Sequence, residues 1–225
     1  MGNNQVNVFN KKPPSKYSWV AEIRSQADVS NRPPQLFTMQ MKASQRHKHA
    51  NSSAPGPRES KSIYCTIPMI RESIPLVILF RALNCTTDKN ILQRICFDCP
   101  NDSDMREALR ASLEEAKIIQ TQEDALDYIA KRGHAQNFVK DKRIIYAKLL
   151  LETEFLPHVS IKANGTLQKS FFLGYMANKL VKASIGVISE DDRDYYGKKR
   201  LDMAGSLLST HFRSLFKSFT EVMQK

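Results

Sequence analysis

The spacing of apolar residues changes once along this 225-residue chain, near residue 70. Before that point apolar and polar residues alternate over residues 19–23, 37–41 and 63–67, the period of two that is typical of half-buried strands. Residues 5–9 predict a further strand. Beyond residue 74 the apolar residues recur at three- and four-residue steps, as they do in helices. Strands followed by helices predict an α+β fold, in which a small, mostly antiparallel sheet from the N-terminal third packs with about six or seven helices.

Capping residues indicate where several helices begin. Residues 74–83 are apolar nearly all round, and Pro75 favours a helix over a strand there because proline suits a first helical position. Asp88 predicts the cap of a short helix, and Asp104 with Glu107 resembles a capping box. Further helices are predicted from Thr121 with Asp124 to Gly133, over about 139–155, over about 166–184, and from about Leu201 almost to the C-terminus.

Charge is distributed unevenly along the chain. The net charge is +11, yet residues 101–130 hold eight acidic and three basic residues, a balance of −5, so the rest of the chain carries +16. Such segregation is expected where one face meets a polyanion and another meets solvent or a basic partner, although scattered surface charge on a soluble domain fits equally well. Residues 43–60, rich in Ser, His, Asn and Pro, predict a mobile surface loop between two strands.

The sequence contains neither a membrane-spanning run nor a familiar catalytic motif. Its richest apolar segment, residues 171–185, is interrupted by Asn178, Lys179 and Lys182, and is shorter than the roughly 18–20 apolar residues that a spanning helix needs. Phosphate-binding, dinucleotide-binding, serine-hydrolase and zinc-protease motifs are absent from it. We therefore predict a chain that does not enter a membrane, has no catalytic residues and is not an enzyme by itself.

The candidate metal ligands do not make a convincing site. Cys96 and Cys99 form a CxxC pair, whereas Cys65 and Cys85 are too isolated to complete a zinc site with it. The five histidines offer no convincing pair. Packed thiols in a reducing compartment are the better interpretation of the cysteines.

Residues 191–205 combine an acidic loop, a glycine and a basic triplet. We interpret Asp191, Asp192 and Asp194 as braces that pin a loop through caps and salt bridges, in preference to metal ligands. The triplet at 198–200 is predicted to stand at the start of a helix, where three cations oppose the positive end of the helix dipole unless an anion lies near. The triplet therefore predicts contact with a phosphate backbone, and side chains extended into solvent are the alternative.

A second basic zone spans the end of one predicted helix and most of the next. A solvated helix face is the commoner meaning of such a run, and nucleic-acid contact is the alternative. The zone consists of Lys131, Arg132, Lys140, Lys142, Arg143 and Lys148.

A set of short segments, in one order along nearly the whole chain, resembles the second-largest subunit of eukaryotic DNA-directed RNA polymerases, that of RNA polymerase II above all. The segments are VAEIRS at 20–25, NRPP at 31–34, CTIP at 65–68 with IP at 74–75, FRAL at 80–83, DYIAKRG at 127–133, KRI at 142–144, FLPH at 155–158, FLGYM at 172–176 and DDRDYYGKKRLDMAG at 191–205. Each segment alone is weak, and the ordered set is strong.

This resemblance implies a domain division. Residues 10–196 are expected to form the lobe, a module on the rim of the DNA cleft. Residues 1–9, as a strand, and residues 197–225, as a helix, are expected to belong to the protrusion, the neighbouring domain into which the lobe is inserted. The chain is then expected to be a fragment without a cofactor of its own, because the magnesium and zinc sites of the parent enzyme lie outside this segment.

The resemblance also implies sites, partners and a location. Arg24, Lys198, Lys199 and Arg200 are expected near nucleic acid, with weak contacts to downstream DNA. The expected protein partners are the largest polymerase subunit, other polymerase subunits and initiation factors such as TFIIF, and the expected location is the nucleus. The alternative is a stand-alone basic nucleic-acid-binding protein without polymerase partners, which should hold duplex DNA tightly at physiological salt.

Overall fold

A computed structural model of the chain describes residues 5–10, 17–26, 34–43, 61–98, 103–159, 165–192, 194–199 and 201–224. The N-terminal third forms one five-stranded sheet of β1 (Asn7–Asn10), β2 (Tyr17–Ser25), β3 (Gln35–Ala43), β4 (Lys61–Thr66) and β5 (Ile74–Pro75). The strands lie in sequence order, and each neighbouring pair is antiparallel. The predicted antiparallel sheet is thus confirmed, while the loop predicted over 43–60 falls almost wholly outside the described residues.

The strand register explains the alternation of apolar residues. Ala21 lies opposite Val8 on one side and Met39 on the other, and Met39 lies opposite Cys65. Residues that oppose each other across antiparallel strands point to the same face, so these side chains form one apolar row across four strands. All four are at most 1% exposed. This face of the sheet is the one that the helices cover.

Seven α-helices follow in the described ranges, which confirms the α+β prediction. They are α1 (Leu76–Ala82), α2 (Asp88–Ile95), α3 (Ser103–Glu115), α4 (Gln122–Lys131), α5 (Lys140–Thr153), α6 (Gly165–Ile185) and α7 (Ala204–Met223), and a 3₁₀ turn at Tyr196–Lys198 lies between the last two.

Several predicted helix starts are shifted by one residue or more. Pro75 belongs to the short strand β5 and precedes α1. The cap of α2 is Thr87, whose hydroxyl accepts a hydrogen bond from the Asn90 amide, so the predicted cap at Asp88 is wrong. Asp104 lies inside the first turn of α3, not at its cap, where its charge still favours the helix dipole. The cap at Thr121 is confirmed by its hydrogen bond from the Asp124 amide, at 3.2 Å.

The core lies between the apolar face of the sheet and the helices. α1 is buried along its whole length, and α6 contacts β1, β2, α2 and α3. Phe37 of β3 and Phe155 after α5 meet edge to face, with ring centroids 5.0 Å apart. In α6, a Cβ atom at Gly174 would lie 2.4 Å from the Arg94 carbonyl oxygen, so only glycine allows α6 to approach α2 this closely.

Two buried cations donate hydrogen bonds to backbone carbonyls at or just after the C-terminal ends of helices, where these carbonyls have no partner within the helix. Lys169 of α6 is 3% exposed and donates hydrogen bonds to the Leu151 and Glu152 carbonyls in the last turn of α5, each at 2.8 Å. Burial lowers the pKa of Lys169 to about 8. Arg81 of α1, also 3% exposed, pairs with Asp88 at 2.8 Å and donates to carbonyls that follow α3.

α7 differs from every other α-helix described, because none of its residues is buried. Its apolar side chains recur at three- and four-residue steps, as the sequence predicts, yet they remain more than half exposed. They are Leu207, Leu208, Phe212, Leu215, Phe216, Phe219, Val222 and Met223. A search of the described helices finds none with the length and apolarity needed to cross a membrane.

Candidate nucleic-acid interface

The segment that leads toward α7 pairs with the edge strand β1. Asp191 donates its backbone N–H to the Val8 carbonyl at 2.8 Å, and its carboxylate accepts a hydrogen bond from the Val8 N–H at 3.0 Å. The carboxylate of Glu190 accepts a longer hydrogen bond from the Asn10 N–H, at 3.3 Å. An edge strand has backbone groups without sheet partners, and this segment satisfies those of Val8.

A lysine of α6 ties this pairing to the helical layer. The Lys179 ammonium lies 2.8 Å from the Asp191 carboxylate and 3.0 Å from the Val6 carbonyl oxygen. Both charged side chains are about four-fifths buried, with 21% and 19% of their surfaces exposed. We name Lys179, Asp191, Val6 and Val8 the junction clamp, since together they join α6, β1 and the segment before α7.

The aspartates beyond the clamp brace the loop locally. Asp192 accepts a hydrogen bond from the Asp194 N–H at 2.8 Å, and Asp194 pairs with Lys199 at 3.2 Å. The Lys199 ammonium also lies 5.7 Å from the centroid of the Tyr196 ring. The interpretation of Asp191, Asp192 and Asp194 as braces is therefore confirmed.

The basic triplet does not begin a helix. The backbone of Lys198 ends the 3₁₀ turn, Lys199 is extended, with φ −92° and ψ 147°, and α7 starts only at Ala204. The extended backbone breaks the helical path, so the predicted position of the triplet in a first helical turn is wrong and the argument from the helix dipole does not apply to it. The side chain of Lys198 and the whole of Arg200 fall outside the described residues.

Arg24 lies at the same corner of the sheet as this loop. It is exposed on the face of β2 away from the helices, opposite Leu36 of β3. On the other side β1 pairs Asn7 with Glu22, so Gln5, which precedes β1, and Arg24 lie toward the same end of this strand pair. Gln5 lines a groove together with Gly197 of the loop. The register and the groove therefore place Arg24 and Gly197 toward the same end of the sheet, with Arg24 on the face away from the helices.

The groove at this corner is open and partly aromatic, with a volume of about 500 Å³. Phe172 and Tyr175 of α6 form one wall, and Tyr195 of the loop forms the other. The Lys179–Asp191 pair also lines it, so the corner carries a paired charge and three aromatic rings. The complete lining is Gln5, Val6, Phe172, Tyr175, Lys179, Asp191, Tyr195 and Gly197.

The second basic zone is largely neutralised by acidic residues within the chain. Asp127 of α4 accepts from Arg143 at 2.6 Å and from Lys131 at 2.8 Å. Desolvation alone raises the pKa of Asp127, but hydrogen bonds from these two cations outweigh it, and the net pKa lies below the usual carboxyl value. The remaining pairs are Arg132 with Glu72 at 3.0 Å and Lys140 with Asp124 at 3.6 Å. Four of the six bases in the zone therefore have acidic partners, which favours a structural role for it.

The described cysteines and histidines are dispersed. Cys65, Cys85 and Cys96 are buried free thiols, and burial raises the pKa of Cys65. Cys99 lies outside the described residues. Nδ1 of the His158 ring and the Ser25 hydroxyl form a hydrogen bond at 2.6 Å. This bond joins the end of β2 to the turn after α5. Across the described ranges, no group of three or more His, Cys, Asp or Glu side chains could hold a metal ion.

The sequence interpretation missed Lys179 and Lys169 as structural anchors. Both stand in the predicted helix over 166–184, and Lys179 entered the argument only as an interruption of an apolar run. A lysine within a buried helix has to find an acceptor or reach solvent, so such an interruption is itself a signal for an internal ion pair or a capped helix end. The Ser25–His158 contact joins residues 133 positions apart and has no comparable signal in the sequence.

Comparison with known proteins agrees with this architecture. Residues 3–202 match the model of the family described as RNA polymerase Rpb2, domain 2. The chain is 46% identical over 220 residues to DNA-directed RNA polymerase II subunit 2 of Arabidopsis thaliana, covering 98% of this chain and 18% of that protein. It is 41% identical over 222 residues to subunit RPB2 of Schizosaccharomyces pombe, covering 99% and 17% of the two chains.

The similarity extends to archaeal proteins. DNA-directed RNA polymerase subunit Rpo2 of Saccharolobus shibatae is 34% identical over 160 residues, which cover 71% of this chain and 14% of that protein. The chain thus spans less than a fifth of the length of these relatives. The ordered motifs, the fold and the family match agree, and this chain belongs to the RNA polymerase Rpb2, domain 2 family of second-largest polymerase subunits.

Proposed function

We propose that this chain is the lobe of the second-largest subunit of DNA-directed RNA polymerase II, with flanking protrusion segments, and that it serves DNA-templated transcription in the nucleus. The observation that carries the proposal is α7, a regular amphipathic helix without one buried residue, in a chain that belongs to the Rpb2 domain 2 family. An apolar helix face of this extent needs a partner surface to cover it. The parent subunit, represented by relatives more than five times as long, supplies that surface.

The proposed division assigns residues 10–196 to the lobe and residues 1–9 and 197–225 to the protrusion. Two observations support it. The family match spans residues 3–202, so it includes the proposed lobe with short flanks on both sides and ends just before α7 begins at Ala204. β1 and the segment at 190–191 run side by side at one edge of the sheet, as expected where a polypeptide enters and leaves an inserted domain.

We assign the corner that holds Arg24, Lys198, Lys199 and Arg200 to the DNA-facing wall of the cleft. The exposure of Arg24 and of Lys199 supports this assignment. Few phosphates would be met at such a corner, so the contacts to downstream DNA are weak and depend steeply on salt. The second basic zone is a poorer candidate because most of its cations are already paired.

We assign initiation-factor docking, including that of TFIIF, to the acidic side of the domain. α3 exposes several carboxylates on a chain whose net charge is +11, which suits a basic partner surface. They belong to Asp104, Glu107, Glu114 and Glu115.

The proposed role is structural and not catalytic, as the family resemblance implies. The largest subunit and other polymerase subunits supply the reacting groups, and the magnesium and zinc sites of the parent enzyme lie in other segments. A radiolabelled nucleotide incorporation assay on the isolated chain, with a DNA template and magnesium, is expected to give no product. Template-dependent product would contradict the non-catalytic assignment.

The decisive experiment is affinity capture of the full-length parent protein from cells, with the captured subunits identified by mass spectrometry. Recovery of the largest polymerase subunit is the expected result. Its reproducible absence would overturn the proposal in favour of a stand-alone nucleic-acid-binding protein.

DNA binding by the 225-residue chain separates the same two possibilities. We expect weak binding to a short duplex that disappears as salt approaches the physiological range. Arg24→Ala should reduce the slope of log affinity against log salt by about 1 if Arg24 meets a phosphate. Arg110→Ala on the exposed acidic helix α3 is the matched control and should leave that slope unchanged. Tight binding at physiological salt would support the stand-alone alternative.

A further inference from the structure

The junction clamp is the most completely satisfied polar cluster at the DNA-facing corner. Lys179 donates to Asp191 and to the Val6 carbonyl, while Asp191 exchanges two hydrogen bonds with Val8. One ion pair thereby joins three elements that are far apart in sequence, namely α6, β1 and the segment before the basic loop. Because both charges are largely buried, the loss of either one leaves the other without compensation.

The loop beyond the clamp is held mainly by its own residues. Asp192 accepts a hydrogen bond from the Asp194 N–H, and Asp194 pairs with Lys199, so these three residues brace one another beyond the fixed Asp191. Among the described residues, no hydrogen bond or ion pair joins residues 201–203 to the sheet or to α1–α6. We therefore place the end of the braced segment at Lys199.

We propose that Lys179 and Asp191 are positioning residues, which hold the basic loop that carries Lys199 in a fixed position against β1 at this end of the sheet. The inference rests on the proposed DNA-facing role of that corner. It also moves a boundary, since Lys198 and Lys199 then travel with the lobe and not with α7. The two residues touch no nucleic acid in this proposal and act through the loop that they orient.

The sign of one substitution separates positioning from simple electrostatics. Asp191→Asn removes a negative charge beside basic residues, so electrostatics alone predicts tighter DNA binding. Loss of the clamp predicts the opposite, because the loop no longer holds Lys199 in a fixed position at the edge of the sheet. Asp192→Asn is the matched control, since it removes the same charge from the same loop but leaves the Lys179–Asp191 pair in place.

The test combines hydrogen exchange with binding to a short duplex at low salt, on the 225-residue chain. We expect Asp191→Asn to speed amide exchange in residues 5–10 by about tenfold, with α4 and α5 unchanged, because only local opening is affected. We expect it to weaken DNA binding by about threefold or more, and Asp192→Asn to leave binding equal or tighter. Lys179→Met should reproduce the exchange effect, whereas Lys182→Met, which removes the neighbouring pair with Asp98, should not.

Three results would overturn the inference, and they have different meanings. If Arg24→Ala weakens binding but Asp191→Asn behaves like Asp192→Asn, the positioning role is wrong and the DNA-facing corner stands. If binding responds to neither Arg24→Ala nor Asp191→Asn, the DNA-facing role itself fails and the positioning role fails with it. Unchanged exchange in residues 5–10 of the Asp191→Asn variant would refute the clamp directly.

Discussion

α6 and α7 are nearly equal in length, 21 and 20 residues, and opposite in burial. Ten residues of α6 are buried, including a lysine and an asparagine, whereas α7 has none. Yet α7 has the clearer amphipathic sequence, with apolar residues at regular helical steps. Periodicity therefore shows which face of a helix is apolar and needs a partner surface. It does not show which part of the structure provides that surface.

The polar residues of α6 and α7 also differ in their bonding partners. Lys169, Asn178 and Lys179 of α6 all bond to backbone or side chains of neighbouring elements. Lys217 of α7 faces solvent with a distant partner, Glu221, at 3.9 Å on its own helix. Polar residues within a buried helix thus fix its position through hydrogen bonds, while those of α7 make its outer face hydrophilic.

Truncation of a core side chain should give the largest contrast between the two helices. Leu180→Ala in α6 removes a fully buried side chain and should lower the free energy of unfolding by about 2–5 kcal/mol. Phe212→Ala in α7, where the ring is 67% exposed, should change it by less than about 0.5 kcal/mol in this chain. Urea unfolding of both variants measures the difference, and equal losses would mean that α7 packs against the domain in solution.

The buried lysine of α6 should give stability a distinct pH dependence. Because the folded pKa of Lys169 is about 8 and its ordinary value is 10.5, the unfolded chain binds more protons between those values. The free energy of unfolding should therefore rise with pH across that window, by roughly 2–3 kcal/mol from this residue. Lys169→Met should abolish the rise and Lys217→Met in α7 should not, as followed by urea unfolding at successive pH values. A rise that persists in Lys169→Met would assign it to another group.

Two helical glycines, Gly174 of α6 and Gly205 of α7, should respond to alanine with opposite signs. Gly174→Ala places a methyl group against the Arg94 carbonyl and should destabilise the chain by about 1–3 kcal/mol. Gly205→Ala meets nothing within 4 Å and should be neutral or stabilising by up to about 1 kcal/mol, from helix propensity. Thermal unfolding of the two variants suffices, and destabilisation by Gly205→Ala would reveal an unrecognised contact at the start of α7.

The smallest effect is expected on the outer face of α7. Glu221→Gln removes the spaced pair with Lys217 and should alter stability by less than about 0.5 kcal/mol, because both groups are exposed. A larger loss, measured by urea unfolding, would indicate that this face also has a partner.

Much of the fold follows from local patterns in the sequence. The strands of the N-terminal third, the helices and the Thr121 cap were predictable because period and capping depend on near neighbours. The two-residue strand β5 was not, since Ile74 and Pro75 are strand residues only through pairing with Cys65 and Tyr64. Pairing of that kind is determined by tertiary structure, and a strand of two residues is too short to show an alternating pattern in the sequence.

The candidate site was predictable in its composition more than in its geometry. The braces at Asp191, Asp192 and Asp194 followed from short-range spacing and are confirmed. The placement of the triplet at the start of the C-terminal helix was wrong, because Lys198 ends a 3₁₀ turn, Lys199 is extended and α7 begins only at Ala204. Proximity of Arg24 and the triplet to nucleic acid stays a prediction, as do the exact domain limits.

If another surface covers α7 in the parent subunit, hydrogen exchange should detect that cover. Amides of α6 and α7 are compared in the 225-residue chain and in the full-length parent subunit within its purified complex. We expect α6 to be protected in both states, whereas α7 should exchange quickly in the chain alone and become protected in the complex. Strong protection of α7 in the monomeric 225-residue chain, or its absence in the complex, would contradict the account.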